Sequence, residues 1–372
     1  MGVTIFDNTV PFAERVRTLS HIAILLTLGV IAMIYLQGVI QPFILAVFVF
    51  LLLRPGAEWL KQRKVPTVLA YFLVIFGLVS VVTLTGWLLY ADLSKVIDTV
   101  PENMEKIDRL LTTLEGTTIL GMDVNLHGAS DQLTGDSIKN TLFSVFGNAA
   151  SFLTNLITVI VFLLFIILEA ETLPGRIQAA YPSEVTGRLD EMAKQIGEGI
   201  NRYVLVKTFV SFGTAFVTGA ILVSVGIPGW FMWSVLTFLL NYVPYIGSLF
   251  AVLPPVALGF LTLNPVVAVV VLVLLVSNQQ LWGALIEPKL FGASLDISPV
   301  VLLLMAAFWF WLWGIIGMVI AVPMAVIVKI VLGQIDGTKP ISIMLSERAP
   351  KGSAKGNPAG TSGAAAAADS DE

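Results

Sequence analysis

One octapeptide, Asn241-Tyr242-Val243-Pro244-Tyr245-Ile246-Gly247-Ser248, gathers ligand-binding chemistry inside an apolar stretch. From Thr208 to Ile286 the chain has no Asp, Glu, Lys, Arg or His. Asn241 offers a donor and an acceptor, Tyr242 and Tyr245 add hydroxyls on flat apolar rings, and Ser248 adds one more hydroxyl. Pro244 removes a backbone donor and frees a carbonyl one turn earlier. Gly247 lets another backbone or a ligand come close. Freed peptide groups find no water in hydrocarbon, so such a break survives only where protein or a wet cavity covers it. This chemistry suits a small, neutral, polar solute such as a polyol. The plainer reading is that Asn241 caps or glues helices, as polar residues in membranes often do.

Further along, Asn278-Gln279-Gln280 places three amides in a row. They cannot all face lipid, because a buried amide without a partner costs about 2 kcal/mol or more. Glu287, in Glu287-Pro288-Lys289, is the candidate for coupling to an ion, since an ionisable group at the edge of a membrane site is a functional hypothesis by default. Asp296 and Glu169 are weaker, interfacial candidates. A second break, at Trp313, Gly314 and Gly317, adds Trp313 and Gly317 to the candidate substrate path. With no deep countercharge, strongly charged substrates are disfavoured unless helix ends supply partial charges; sodium on freed carbonyls stays open.

Several chemistries are excluded. There is no Cys, and His21 and His127 stand in no metal or triad spacing, so no metal site and no cofactor is expected. Neither a Gly-x-Ser-x-Gly element nor a His-Glu-x-x-His motif occurs, and no phosphate-binding Gly-x4-Gly-Lys loop is present. An enzyme is therefore not expected, and a net charge of −4 gives no reason to expect nucleic acid.

The elements that must hold these residues are membrane spans. Hydrophobic residues make up 56% of the chain and charged ones 12%, about half the charge of a soluble domain. Ile22 to Leu53 is too long for one span and is interrupted at Gln37-Gly38 and Gln41-Pro42, so it reads as two short spans or a tilted hairpin. It outlasts a signal-peptide core and is read as retained. Thr67 to Ala91, Thr141 to Leu168, Val204 to Gly226 and Pro265 to Ile286 read as further spans.

Trp230 to Leu263 and Pro299 to Leu332 are different. A straight helix of such length would be about 50 Å long, far beyond the bilayer core. Each breaks near its middle, so each is expected to enter the membrane and turn back. Ile246-Gly247 through Ala251-Val252 lies beside Ile316-Gly317 through Ala321-Val322, a weak internal similarity of the kind inverted-repeat transporters show.

Basic residues orient the chain. Arg15, Arg17, Arg54, Lys61, Arg63, Lys64, Arg176, Arg188, Lys194, Arg202, Lys329 and Lys339 fall on one side, assigned to the cytoplasm with both termini. The expected organisation runs from a cytoplasmic N-terminus (1–21) through N-terminal spans (22–91) to an extracytoplasmic amphipathic segment (92–140). A span (141–168) and a cytoplasmic amphipathic linker (169–203) follow. The transport region is 204–332, with hairpins at 230–263 and 299–332, and 333–372 is a disordered tail. The fold class is all-α: a polytopic integral membrane protein of about eight segments, two of them broken or re-entrant hairpins. Hairpins place 287–298 in the cytoplasm, whereas two complete crossings would place it outside.

These residues resemble the autoinducer-2 exporter family of bacterial permeases, over roughly Ile22 to Leu332. The likeness rests on Pro244-Tyr245-Ile246-Gly247, on Gln280 to Pro288, and on Leu295 to Pro299. It rests also on Gly314-Ile315-Ile316-Gly317 followed by Ala321-Val322-Pro323, and on Arg54-Pro55. The resemblance implies a multi-pass protein of the bacterial inner membrane with both termini inside. It implies hairpins along a substrate path, and a homo-oligomer, a pentamer. Members are linked to export of the signalling molecule autoinducer-2 and others to sodium–proton antiport, so the resemblance does not fix the substrate. Three functions follow for testing: a solute exporter working by alternating access, a cation–proton antiporter of the same build, and a non-transporting membrane scaffold.

Overall fold

The computed structural model describes residues 12–102, 118–119, 122–123, 156–244, 246–291, 296–335 and 337–347. Most of the expected extracytoplasmic segment, the start of the 141–168 span, Tyr245 and the tail beyond 347 lie outside them. The helices are α1 (Phe12–Tyr35), α2 (Gln37–Gln62), α3 (Thr67–Glu102), α4 (Leu156–Ala170), α5 (Leu173–Ala180) and α6 (Ser183–Ser224). There follow α7 (Trp230–Leu240), α8 (Ile246–Thr262), α9 (Pro265–Gln280), a π-helical turn (Leu281–Ile286), α10 (Glu287–Phe291), α11 (Pro299–Gln334) and α12 (Lys339–Met344). A two-stranded ribbon, β1 (Thr118–Ile119) with β2 (Met122–Asp123), is the only sheet among the described residues.

The chain is an all-α polytopic membrane protein. Six helices are long and apolar enough to cross a bilayer, or seven if α4 and α5, bent by 55°, count as one broken span. The large apolar side chains exposed on α1, α2 and α3, such as Leu25, Phe43, Phe72 and Trp87, are what lipid-facing helices require. The stretch 22–53 is two helices rather than one folded pair of short spans. The break falls at Leu36, and each helix runs beyond the apolar residues into its polar flank. The amphipathic stretch before residue 204 and the span after it form one continuous helix of 42 residues, α6.

Two segments reverse direction within the protein. Between α7 and α8 the chain turns at Asn241 to Pro244, and Ile227, just before α7, approaches Gly259 near the end of α8. In α11 the helix breaks at Trp313 (φ −134°, ψ 18°) and Gly314 (φ 63°, ψ −143°). Val301 and Leu302 of its first arm then pack on Val326 and Ile330 of its second. A straight helix would hold Val301 and Ile330 about 43 Å apart. Both segments are therefore hairpins.

The hairpins open toward opposite ends of the bundle. At the first one's mouth, the Met232 amide donates to Asp92 Oδ2 (3.1 Å) at the far end of the α3 span. At the second one's mouth, Lys329 Nζ donates to Asp296 Oδ2 (3.2 Å) and Gln334 donates to Gln195 of α6 (3.3 Å). That end also holds Arg54 and Lys61 of α2, the latter paired with Glu171 (3.8 Å). The tips overlap in depth: Val243 of the first tip lies in one apolar cluster with Trp309, Leu312, Trp313 and Met318 of the second. α2, α3 and α4 form a separate core around Ala46, Tyr71 and Leu163.

Candidate functional site

The first tip is built from glycine outward. A Cβ on Gly247 would sit 1.8 Å from the Leu240 carbonyl oxygen, so the backbone can reverse only where a side chain is missing. Gly317 repeats this at the second tip, 1.9 Å from the Trp309 oxygen. Even the next neighbour matches, Val243 Cβ at 3.3 Å in one and Trp313 Cβ at 3.2 Å in the other. The pairing of Gly247 with Gly317 seen in the sequence thus corresponds to one backbone device used twice, once from each end of the bundle.

The first tip presents its polar groups to α6. Asn241 Nδ2 donates to Ser211 Oγ (3.2 Å), and the Tyr242 hydroxyl lies 2.7 Å from Thr208 Oγ1. Ile246 N approaches the Pro244 carbonyl at 2.6 Å, which tightens the turn. Both Asn241 and Tyr242 keep part of their surface accessible. Ser248 follows in the first turn of α8, half-buried.

α6 supplies the matching surface. Lys207, Ser211, Thr214 and Thr218 follow at steps of four, three and four, which places them on one face of the helix. All four are buried. This stripe is the functional feature that the sequence reading missed. Its signal was the spacing itself: four polar residues in the pattern normally reserved for apolar ones.

Asn278 of α9 completes the seam. Its amide donates to the Thr214 carbonyl (3.0 Å) and to Thr218 Oγ1 (3.1 Å), while its own oxygen is buried without a partner. Of the three amides Asn278 turns inward, but onto α6, where it joins two helices rather than facing the hairpin. Gln279 is half-buried, and Gln280 is exposed and lines an open apolar groove with Ile221 and Leu285. Neither hydrogen-bonds to the tip.

Glu287 lies nine residues beyond Asn278, two and a half turns of α-helix, which would set the two on opposite faces. The intervening π turn rewinds the helix, and both face α6. Lys207 Nζ donates to both Glu287 oxygens, at 2.7 and 2.9 Å, with side-chain exposures of 9% and 20%. The ring of Trp282, on the π turn, presses on α6 where only Gly213 leaves room: a Cβ there would sit 2.1 Å from it. Tyr203, one turn before Lys207, stacks on Phe291 at 6.0 Å, and its hydroxyl is buried without a partner.

Trp313 and Gly317 belong to the second tip. Trp313 is buried and donates from Nε1 to the Met33 carbonyl of α1 (3.3 Å), which ties that tip to the N-terminal helices. The structure thus brings Asn241, Tyr242 and Asn278 to one seam along α6, with Glu287 at its end, while Pro244, Gly247 and Ser248 shape the tip beside it. Trp313 and Gly317 meet it through Val243. Among the described residues no cluster of His, Cys, Asp and Glu could hold a metal ion.

Such a seam, closed by a re-entrant tip, has its one lysine paired with its one glutamate. The comparisons agree with a transport role. AI-2 transport protein TqsA of Escherichia coli is 29% identical over 341 residues, covering 90% of this chain and 98% of that protein. A candidate transport protein of Borreliella burgdorferi is 27% identical over 337 residues, 89% of this chain and 91% of its own length. The candidate transport protein YueF of Bacillus subtilis is 24% identical over 317 residues, 80% and 84% respectively. The sequence profile describing AI-2E family transporters matches residues 22–337, and this membrane protein belongs to that family.

Proposed function

We propose that this protein carries a small, neutral, polar solute across the bacterial inner membrane, outward, by alternating access at the seam between α6 and the first hairpin tip. The observation that carries this reading is the placement of Asn241 and Tyr242. They stand half-buried against Ser211 and Thr208, in a stretch with no charged side chain from Thr208 to Ile286. Two hairpins that open to opposite ends supply a barrier on each side. Withdrawal of one tip at a time would expose the seam to one compartment and then to the other. The basic end of the bundle is the cytoplasmic one by the positive-inside bias, with both termini there. The solute class fits an autoinducer-2-like signalling molecule, in line with the transport role in the name of the Escherichia coli relative. The resemblance noted above favours a homo-oligomer, which we take to be a pentamer.

Purified protein in liposomes, loaded with autoinducer-2 or with a panel of small polyols, tests the proposal. Asn241→Leu is expected to abolish solute flux while the oligomer elutes unchanged on size-exclusion chromatography. Normal flux in that variant would sink the reading. Loss of assembly would instead make Asn241 an interhelical adhesive. Cation–proton antiport through Glu287 requires that its carboxylate first be released from Lys207, and sodium-driven proton flux that fails in Glu287→Gln would favour that rival.

A further inference from the structure

We propose that Lys207 is a built-in counter-cation: it holds the one position from which a monovalent cation or a proton could neutralise Glu287, and so keeps the carrier independent of ion gradients. The inference rests on the transport reading of the same seam. Three observations carry it. The ammonium bonds both carboxylate oxygens, so Glu287 has no free face toward α6. The pair forms the inner end of a seam with no other charge, so its neutrality decides the charge of the whole path. The π turn is what brings Glu287 round to α6, and a π turn inside an α-helix frequently marks a functional position.

Tyr203, one turn before Lys207 on α6, keeps a buried hydroxyl without a partner. Arg202 and Lys289, two further cations near the pair, oppose entry of another cation. Arg202 donates to the Phe291 carbonyl (3.4 Å), and Lys289 is exposed on the same short helix as Glu287. A cation entering the site would therefore need Lys207 to leave, and removing the Lys207 ammonium creates a vacancy of the right charge. A lysine tethered to α6 cannot diffuse away, whereas a bound sodium ion can.

The test is a thermal-unfolding measurement on the full, detergent-purified protein, and it needs no identified substrate. Sodium chloride is compared with choline chloride at equal ionic strength, and pH 5.5 with pH 8. The wild type is expected to be indifferent to sodium at this site. Lys207→Met should gain about 2 °C in Tm when sodium exceeds its dissociation constant tenfold, or on acidification. The double variant Lys207→Met/Glu287→Gln should lose that response. The exchange variant Lys207→Glu/Glu287→Lys should assemble and stay insensitive. A Lys207→Met protein that responds to neither sodium nor pH overturns the proposal. So does a wild-type sodium response that disappears in Glu287→Gln. Should Lys207→Met fail to assemble, Lys207→Gln carries the same measurement. Failure of both beside a well-assembled exchange variant would make the pair a structural staple and also overturn it. Loss of flux in Asn241→Leu is read separately, so the two proposals can fail independently.

Discussion

Replacing Gly247 by Ala adds one methyl group at the point where the chain doubles back on itself. That carbon would sit 1.8 Å from the Leu240 oxygen and 2.7 Å from its carbonyl carbon, and real Cβ atoms essentially never come within 3.0 Å of a heavy atom. Both obstacles are backbone, so no side chain can rotate away. The tip must open by more than an ångström, and overpacking of that kind costs about 3 kcal/mol. For a chain of 372 residues, at about 2.1 cal/mol/K of unfolding entropy per residue, the loss corresponds to a fall of roughly 4 °C in Tm. Gly317→Ala meets the Trp309 carbonyl at 1.9 Å and should cost the same. Gly38→Ala is the control, since a Cβ there meets nothing within 4 Å and the residue lies inside α2, where Ala is the better helix former. Thermal unfolding in detergent and solute flux in liposomes are measured for all three. Unchanged Tm and flux in Gly247→Ala would refute the hairpin geometry, because no re-entrant turn of this tightness accepts that methyl.

Two further outcomes are expected. Asp92 caps α7 from a distant part of the chain, and Gly229 at the N-cap position has no side chain to do so; Asp92→Ala should lower stability by about 1 kcal/mol, and Asp92→Asn, which keeps an acceptor, by less, and equal losses in both would point to charge alone. The chain has no Cys, so single cysteines report sidedness cleanly: cysteines at Ser183 and Lys289 should react with an impermeant thiol reagent from one face of the membrane and a cysteine at Asn264 from the other, whereas reaction of Asn264 from the Ser183 face and of Lys289 from the opposite face would mean that 230–263 crosses completely.

The sequence showed where the chain breaks more clearly than it showed what the breaks face. Pro244, Gly247, Gly314 and Gly317 are legible because Pro and Gly act through the local backbone, which a single chain reveals. The inward turn of one amide at 278–280 followed from the cost of burying amides unpaired. The α6 stripe was not read, for two reasons. Ser211, Thr214 and Thr218 pass as mildly apolar in a membrane helix because their hydroxyls can bond within the helix, as Thr214 does to the Val210 carbonyl (2.8 Å). Lys207 stands at the border of the charge-free run, and its partner Glu287 lies 80 residues away, a pairing that no local pattern encodes. The π turn likewise leaves no compositional trace, so the face reached by Glu287 could not be assigned from helical spacing.

Each reversal is enforced by the lack of a side chain at one residue and by carbonyl oxygens that every amino acid possesses. Shape and preference for cargo are therefore written at different positions. On the transport reading proposed above, exchanges at Asn241, Tyr242, Ser211 or Asn278 would act on the cargo and leave both bends in place, as long as Gly247 and Gly317 stay bare. Attempts to retune such a carrier should begin on the facing helix and leave the two bends alone.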